Sequence, residues 1–184
     1  ARETKHAREG KPAKIVAKMN SLCDEGIIAA LYEASAAGVE IELIVRGICC
    51  LKVGIPGISE NIHVRSIVGN FLEHSRIFFF LNDGEEELYM GSADWMPRNL
   101  DRRVEILFPV LDDTLKEKVK HILDVELADN TKAHVLKPDG EYEKIDRRGK
   151  VLVNSQKQFC EEAVAAVPKT DHVYRERVFV PAEP

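Results

Sequence analysis

A strand, a helix and a second strand follow one another near the N-terminus, and this order restricts the possible folds more than any other feature of the chain. Residues 13–19 and 39–45 are mostly apolar and read as buried strands. Between them, Asp24 is a suitable N-cap for an amphipathic helix and Gly38 is a suitable stop. Because such a succession normally forms a right-handed unit with parallel strands, the sequence predicts an α/β fold.

The rest of the chain alternates between strand-like and helix-like segments. The turn sequence at residues 82–84 predicts a hairpin, and Thr114 with Glu117 forms a capping box at the start of a helix. We therefore expect one α/β domain with a mixed, mostly parallel β-sheet flanked by helices. The further predicted strands are residues 63–67, 76–81, 87–90, 104–110, 132–136 and 141–145, and a last helix covers residues 156–166.

Length and composition exclude several classes of protein. The 184 residues can bury a core, no apolar run is long enough for a transmembrane helix, and the first residues lack the apolar stretch of a signal peptide. Four cysteines lack metal-ligand spacing and are interpreted as reduced, mostly buried thiols of a cytosolic protein. The net charge of -5 argues against a nucleic-acid partner.

The distribution of cations is more informative than their total. Between Ile44 and Val110 lie six arginines and a single lysine, Lys52. A planar guanidinium group can donate two parallel hydrogen bonds to phosphate oxygens. The excess of arginine over lysine therefore favours a phosphate-binding site. Structural ion pairs with Glu73, Asp94 and Asp101 are an equally good interpretation of composition alone. The six arginines are Arg46, Arg65, Arg76, Arg98, Arg102 and Arg103.

His74 is the strongest candidate for a catalytic side chain. It lies in a polar turn two residues before Arg76, directly ahead of an apolar strand, and the segment Gly91 to Asp94 follows on the next strand. Imidazole titrates near neutral pH and can attack phosphorus or donate a proton. The pattern His-x-Arg followed by Gly-Ser-x-Asp is similar to the His-x-Lys and Gly-Ser-x-Asn elements of the phospholipase D superfamily. Arginine here replaces the lysine, and aspartate replaces the asparagine.

A wider resemblance is to the first class of bacterial polyphosphate kinases. It covers roughly residues 11–165 and corresponds to the last of the four domains of those enzymes, one of two that each resemble half of a phospholipase D fold. The resemblance implies a domain at residues 12–166, a linker from upstream domains at residues 1–11 and a tail at residues 167–184. The matching blocks are residues 18–22, 44–51, 59–62, 65–69, 71–78, 91–96 and 98–105.

The resemblance also implies a reaction and a set of site residues. The family transfers the terminal phosphate of ATP to inorganic polyphosphate, reversibly and with Mg²⁺, through a phosphohistidine in the penultimate domain. His74 would be the second active-site histidine, with Arg46 and Arg76 holding nucleotide or phosphate groups. Arg103 and Glu105 would line the same catalytic site, and no resident metal site is implied in this domain.

The implied partners are ATP, ADP, inorganic polyphosphate and the upstream domains of the same chain. The complete enzyme would be a cytoplasmic homo-oligomer, with membrane association left open. Two alternatives remain at this point. One is a phospholipase D-like phosphodiesterase or nuclease, which hydrolyses its substrate. The other is a non-catalytic polyanion-binding or oligomerisation module, which describes the isolated chain if half an active site does not turn over.

Overall fold

The computed structural model describes residues 1–167. Its elements are helices and strands of a mixed sheet, with a short 3₁₀ turn at Asn82–Gly84. The helices are α1 (Arg2–Arg8), α2 (Glu25–Ala36), α3 (Pro97–Arg102), α4 (Asp113–Ala128) and α5 (Ser155–Ala166). The strands are β1 (Lys14–Met19), β2 (Glu40–Val45), β3 (Ile62–Ile67), β4 (Arg76–Phe80), β5 (Glu87–Gly91), β6 (Leu107–Pro109), β7 (Ala133–Leu136) and β8 (Tyr142–Lys144).

One eight-stranded sheet, in the order β6-β5-β4-β1-β2-β3-β7-β8, forms the centre of the molecule. The prediction of a mixed sheet flanked by helices is confirmed. The expectation that most of its strands are parallel is wrong, because in the described sheet only β1–β2 and β2–β3 pair in parallel. The other neighbours are antiparallel, since β4 and β7 each return beside the central strands instead of extending the βαβ pattern.

The β1-α2-β2 unit follows the prediction. The Asp24 carboxylate accepts a hydrogen bond of 2.9 Å from the Ile27 amide and thereby caps α2. Gly38, at φ +97°, adopts the left-handed conformation that ends the helix and turns the chain into β2. The hairpin β4–β5, the hairpin β7–β8 and α5 also form as expected.

Several local expectations need correction. The segment predicted as a linker at residues 1–11 contains α1, because the buried Glu3 carboxylate accepts hydrogen bonds from the Lys14 and Asn82 amides. Helix α4 begins one residue before Thr114, because Asp112 rather than Thr114 caps the Leu115 amide. The strand predicted at residues 104–110 shortens to β6.

Two further sequence expectations concern the cysteines and the tail. All four cysteines are free, but Cys23 and Cys49 are only partly buried and Cys50 and Cys160 are exposed, so the expectation of mostly buried thiols is wrong. Of the predicted tail at residues 167–184, all but the first residue lies outside the described residues. Within residues 1–167, no helix combines the length and apolarity needed to cross a membrane.

Apolar side chains cover both faces of the sheet. On one face, residues of β1 and β2 such as Ala17 and Leu43 pack with Leu31 of α2. On the other face, Val16 and Ile44 pack with Leu123 of α4. Neighbouring residues of one strand thus enter opposite cores, as the two-residue period of a strand requires. The sheet is therefore buried on both sides over its centre, and the side chains at strand ends are left to form a site.

Candidate functional site

The sheet topology brings the sequence-predicted site residues to one edge, which we call the carboxyl edge because β1, β2 and β3 end there. Asn20 follows the end of β1 and Arg46 follows the end of β2. Because β4 runs antiparallel to β1, it begins at this edge with Arg76, and β5 returns to the edge at Gly91. Open α/β sheets place ligands at such an edge, since loops from several strands meet there.

A chain of hydrogen bonds connects these loops. Arg46 Nε donates to Asn20 Oδ1 at 2.8 Å. The Asn20 backbone amide donates to Asp94 Oδ1 at 2.7 Å. Arg76 binds the same carboxylate with two nitrogens, Nε to Oδ1 at 3.1 Å and NH2 to Oδ2 at 2.9 Å. Asp94 therefore fixes two loops and one arginine with respect to each other.

Arg76 extends this chain to His74. Its NH1 donates to the His74 carbonyl oxygen at 2.8 Å and lies 3.1 Å from His74 Nδ1. The imidazole itself is exposed to solvent, whereas the Arg76 side chain is only 12% exposed. The guanidinium group of Arg76 thus orients His74 through its backbone carbonyl and its ring, and it adds positive charge to the site.

The charge state of Asp94 follows from these contacts. Burial alone raises the pKa of the Asp94 carboxyl, but hydrogen bonds from Arg76 and Asn20 outweigh burial and leave the pKa below its ordinary value. Asp94 is therefore ionised at neutral pH. One carboxylate shared by Arg76 and the Asn20 loop leaves the surroundings of His74 and Arg46 positive, which suits a bound anion.

Glu105 occupies the neighbouring part of the carboxyl edge. Its carboxylate accepts hydrogen bonds from Ser92 Oγ and Asn99 Nδ2, which lower the pKa of Glu105 together with the charges of Arg103 and Arg76. Ser92 Oγ also accepts from the Ile106 amide at 3.0 Å. Ser92 and Asn99 thus hold Glu105 in place, and Glu105 in turn lies near both arginines.

A cavity and a depression adjoin this cluster. The cavity has a volume of about 600 Å³; its wall includes Arg103, Glu105 and the ring of Trp95, which stacks on Phe78 at 5.0 Å between ring centroids. The depression, of about 500 Å³, is lined by Pro97, Arg98, Asp101, Arg102 and Arg103, and we call it the arginine depression. Within residues 1–167, no side-chain hydrogen bond or ion pair neutralises its three guanidinium groups.

The sequence-predicted residues therefore share one edge. Hydrogen bonds connect Arg46 to His74 through Arg76. The Glu105 carboxylate is attracted electrostatically to Arg103 and Arg76. The predicted ion pair with Asp94 is present, to Arg76, whereas Glu73 pairs with Lys18 instead of an arginine. Arg65 pairs with Glu42, which was not a predicted partner. The structure shows no ion pair for Arg46, Arg98, Arg102 or Arg103 among the described residues.

Sequence reasoning assigned no role to Asn20. The sequence did contain a signal for Asn20: it directly follows a buried strand and therefore lies at the same edge as Arg46. Clusters of three or more histidine, cysteine, aspartate or glutamate side chains that could hold a metal are absent from residues 1–167. The carboxylates nearest His74 are already bound by protein donors: Asp94 by Arg76, Glu73 by Lys18 and Glu105 by Ser92.

Comparisons with known proteins identify the family of the chain. The family model described as "Polyphosphate kinase C-terminal domain 2" matches residues 1–156. The polyphosphate kinase of Pseudomonas putida is 61% identical over 142 residues, which is 77% of this chain and 20% of that protein. The enzyme of Pseudomonas aeruginosa is 55% identical over 167 residues, 90% of this chain and 24% of that protein.

A solved structure is similar as well. The crystal structure of polyphosphate kinase from Porphyromonas gingivalis matches with a TM-score of 0.85 at 43% identity, covering 89% of this chain and 25% of that one. The chain thus spans about a fifth to a quarter of the length of these relatives. Because the family model matches residues 1–156 of the 184, the chain belongs to the polyphosphate kinase family and represents its C-terminal domain 2.

Proposed function

We propose that this chain supplies half of the active site of a polyphosphate kinase, the half that binds and orients phosphate groups. The observation that carries the proposal is the hydrogen-bonded chain from Arg46 through Asp94 and Arg76 to His74. Phosphoryl transfer spreads negative charge over the equatorial oxygens of the transferred group, so preorganised cations supply much of the catalysis. The carboxyl edge presents such cations around one exposed imidazole.

The proposed reaction has two displacements. In the first, a histidine nitrogen of the neighbouring domain bonds to the terminal phosphorus of ATP, and the bond from that phosphorus to the bridging oxygen breaks to release ADP. In the second, a terminal oxygen of polyphosphate attacks the same phosphorus and the phosphorus–nitrogen bond breaks. Both steps are reversible. Arg46 would hold nucleotide phosphate, and His74 would contact the transferred group and donate or accept its proton.

Mg²⁺ enters this proposal as part of the nucleotide substrate. Magnesium is commonly held by substrate phosphates with few protein carboxylates. The nearby carboxylates of Asp94 and Glu105 already accept hydrogen bonds from Arg76 and Ser92. We therefore assign the Mg²⁺ to the ATP phosphates, and the role of this domain is to place arginines around the oxygens that the metal leaves free.

Exposed apolar side chains support a neighbouring domain as the other half of the site. Val68, Phe71 and Leu72 are more than half exposed on the loop before His74, and Val104 and Ile106 are exposed beside Glu105. Apolar patches that flank a polar site commonly mark an interface. The proposed partner is an upstream domain of the same polypeptide in a cytoplasmic homo-oligomer.

The test compares His74→Ala and Arg46→Ala in the complete enzyme that carries this chain. We expect each variant to lose about 10²–10³-fold in polyphosphate synthesis from ATP, by analogy with the loss of one preorganised donor. Arg46→Ala should also weaken ATP binding. His121→Ala is the matched control, because His121 pairs with Glu162 on α5 away from this edge. Unchanged synthesis in His74→Ala, or release of free phosphate by the unmodified enzyme instead of polyphosphate, contradicts the proposal.

The arginine depression favours a second, narrower function for the isolated chain, namely polyphosphate binding without transfer. Arg98 and Arg102 of the depression are exposed and lie beside Arg103 at the site. Calorimetric titration of the isolated chain with polyphosphate and Mg²⁺ tests this. Heat of binding that disappears in an Arg98→Gln, Arg102→Gln double variant supports it, and the absence of heat with the unmodified chain contradicts it.

A further inference from the structure

The loop that carries His74, residues 68–75, has no regular secondary structure and exposes most of its side chains. A group that acts on phosphorus must nevertheless hold its position closely, because small displacements of a reacting group cost much of the rate. Arg76 fixes His74 from the C-terminal side of the loop. The contacts on the N-terminal side decide whether the loop is held at both ends.

Gln156 of α5 provides the first of these contacts. Its Oε1 accepts from the Phe71 amide at 3.0 Å, and its Nε2 donates to the Phe71 carbonyl at 2.8 Å and to Glu73 Oε1 at 2.7 Å. The side-chain amide therefore pairs with the loop backbone in the way a neighbouring strand would. Gly69 gives it room, since a Cβ at that position would lie 2.3 Å from Gln156 Oε1.

The position of Gln156 is itself fixed by the preceding residue. Asp129, at the end of α4, is completely buried. Its Oδ2 accepts from the Ser155 amide and from Ser155 Oγ, each at 2.8 Å. Its Oδ1 accepts from the amides of residues 131–133. The first turn of α5 is therefore tied to α4, and Gln156 has little freedom to move.

Glu73 provides the second contact, through buried charges. Its Oε2 lies 3.2 Å from Lys18 Nζ, and Lys18 Nζ lies 3.6 Å from Glu126 Oε1 of α4. The side chains of Lys18 and Glu126 are only 2% and 1% exposed. Burying one cation with two carboxylates leaves an unbalanced negative charge, which is costly in the protein interior unless one carboxyl keeps its proton.

The surroundings of Glu126 show where that proton belongs. Among the described residues, Glu126 Oε2 is buried with no donor to satisfy it. Burial, together with the hydrogen bond and charge of Glu73, raises the pKa of Glu126 to about 8 despite Lys18, whereas Glu73 keeps a lowered pKa. A protonated Glu126 can donate to Glu73, which leaves Glu73 and Lys18 as a neutral ion pair.

We propose that Lys18, Glu73, Glu126 and Gln156 form a positioning device that fixes the His74 loop on the N-terminal side of His74. These residues come from β1, the loop itself, α4 and α5, so the device ties the site to the central sheet and to the helices on the face that α4 covers. They are positioning residues, because they act on the reaction through His74 and touch no substrate group themselves. The importance of this device for catalysis rests on the proposed function; its effect on the loop does not.

The first test is hydrogen exchange of the loop amides in the 184-residue chain. In Gln156→Ala, we expect exchange of the Phe71 amide, which donates to Gln156 Oε1, to rise about tenfold or more, since local opening controls exchange. Gln158→Ala is the matched control: Gln158 lies two residues further along α5 and donates only to Glu162, so exchange in the loop should stay unchanged. Equal exchange in both variants overturns the proposal.

A second pair of variants protects the test against loss of folding. Glu126→Gln keeps a donor for Glu73 and should leave loop exchange as in the unmodified chain, whereas Glu126→Leu removes that donor and should raise exchange about tenfold. A Glu126→Leu variant that is folded and as well protected as Glu126→Gln overturns the role of Glu126.

Steady-state kinetics of the complete enzyme then connect the loop to the reaction. For Gln156→Ala and Glu126→Leu, we expect kcat to fall about tenfold or more, with the KM for ATP changed by less than about twofold, because Arg46 remains in place. Glu126→Gln should restore kcat. A general loss of structure would also lower kcat, but it would raise hydrogen exchange throughout the chain and not only in the loop. If the unmodified enzyme makes no polyphosphate, the proposed function fails. The exchange experiment still tests whether the positioning device fixes the His74 loop.

Discussion

Arg76 has a different role from that of a freely mobile surface cation. Three of its nitrogens are used within the protein: two bind Asp94 and one binds the His74 carbonyl. This arrangement depends on the planar, five-donor geometry of the guanidinium group, which an ammonium group cannot reproduce. The positive charge at this position is therefore only part of what Arg76 contributes.

Arg76→Lys separates charge from geometry. The lysine keeps the charge but cannot bind both carboxylate oxygens and the His74 carbonyl together, so we expect kcat of the complete enzyme to fall about 10²-fold. Lys120→Arg, a charge-conserving exchange at an ion pair on α4, is the control and should leave kcat unchanged. Full activity of Arg76→Lys in steady-state assays would show that charge alone suffices at this position.

Glu126 gives a prediction for the pH dependence of stability. Its pKa is about 8 in the folded chain, compared with 4.5 for an ordinary glutamate. Between these values the folded state keeps a proton that the unfolded state releases, so the free energy of unfolding decreases as pH rises, by about 1.4 kcal/mol per pH unit from this group. The contribution is complete below pH 4.5 and lost above pH 8.

Glu126→Gln removes this titration. The free energy of unfolding of Glu126→Gln, relative to that of the unmodified chain, should therefore increase between pH 5 and pH 8, by up to about 1.4 kcal/mol per pH unit. Urea denaturation at several pH values measures the difference. Glu117→Gln, which changes an exposed glutamate on the same helix, is the control variant. A difference for Glu126→Gln that stays flat with pH would mean that Glu126 is ionised in the folded state.

At the scale of elements, buried polar contacts of Asp129 hold the junction of α4 and α5. Asp129 accepts hydrogen bonds from residues 131–133 and from Ser155. We expect Asp129→Ala to lower the free energy of unfolding by about 3 kcal/mol, because it leaves buried donors without an acceptor. Chemical denaturation measures this loss.

Asp146→Ala is the comparison for Asp129→Ala. Asp146 pairs with Arg148 on the surface, and its removal should change the free energy of unfolding by less than about 0.5 kcal/mol. A similar small effect at both positions would contradict the assignment of Asp129 as the residue that holds α5. In that case the position of Gln156 would need another explanation.

The elements also show what the sequence could and could not predict. The β1-α2-β2 unit was predictable because its apolar pattern, cap and stop are local. Helix α1 was missed because its residues are polar and Glu3 stabilises it by hydrogen bonds to the distant Lys14 and Asn82. The predominance of parallel strands was wrong because strand order depends on where long connections return, and the loop at residues 68–75 crosses from β3 to β4 past two strands.

The same distinction applies to the site. Arg46 and His74 lie next to strand ends, so the sequence pattern itself pointed to them, whereas Glu105 was assigned only through the resemblance to the polyphosphate kinase family. The positioning device could not be predicted, because Lys18 and Glu126 are far apart in sequence and meet only when α4 packs on the sheet. A lysine within an apolar strand was the single local signal, since a lysine is rarely buried without an acidic partner.

At the scale of the whole molecule, charge is unevenly distributed. The net charge is -5, yet the carboxyl edge and the arginine depression present guanidinium groups with few carboxylates to neutralise them. An anionic protein repels a polyanion at long range, so binding has to come from this local concentration of positive charge. Salt should therefore affect polyphosphate affinity through a small number of identifiable arginines.

The Arg98→Gln, Arg102→Gln double variant tests this distribution by its salt dependence. Each arginine that neutralises a phosphate releases a counterion, so the slope of log association constant against log salt concentration should fall by about 0.7 per arginine, as for single-stranded nucleic acids. An Arg147→Gln, Arg148→Gln variant changes the net charge equally, on the far β8–α5 connection, and should keep the original slope. Equal losses of slope in the two variants would mean that net charge governs the affinity; a loss confined to the first pair means that the polyanion lies along α3.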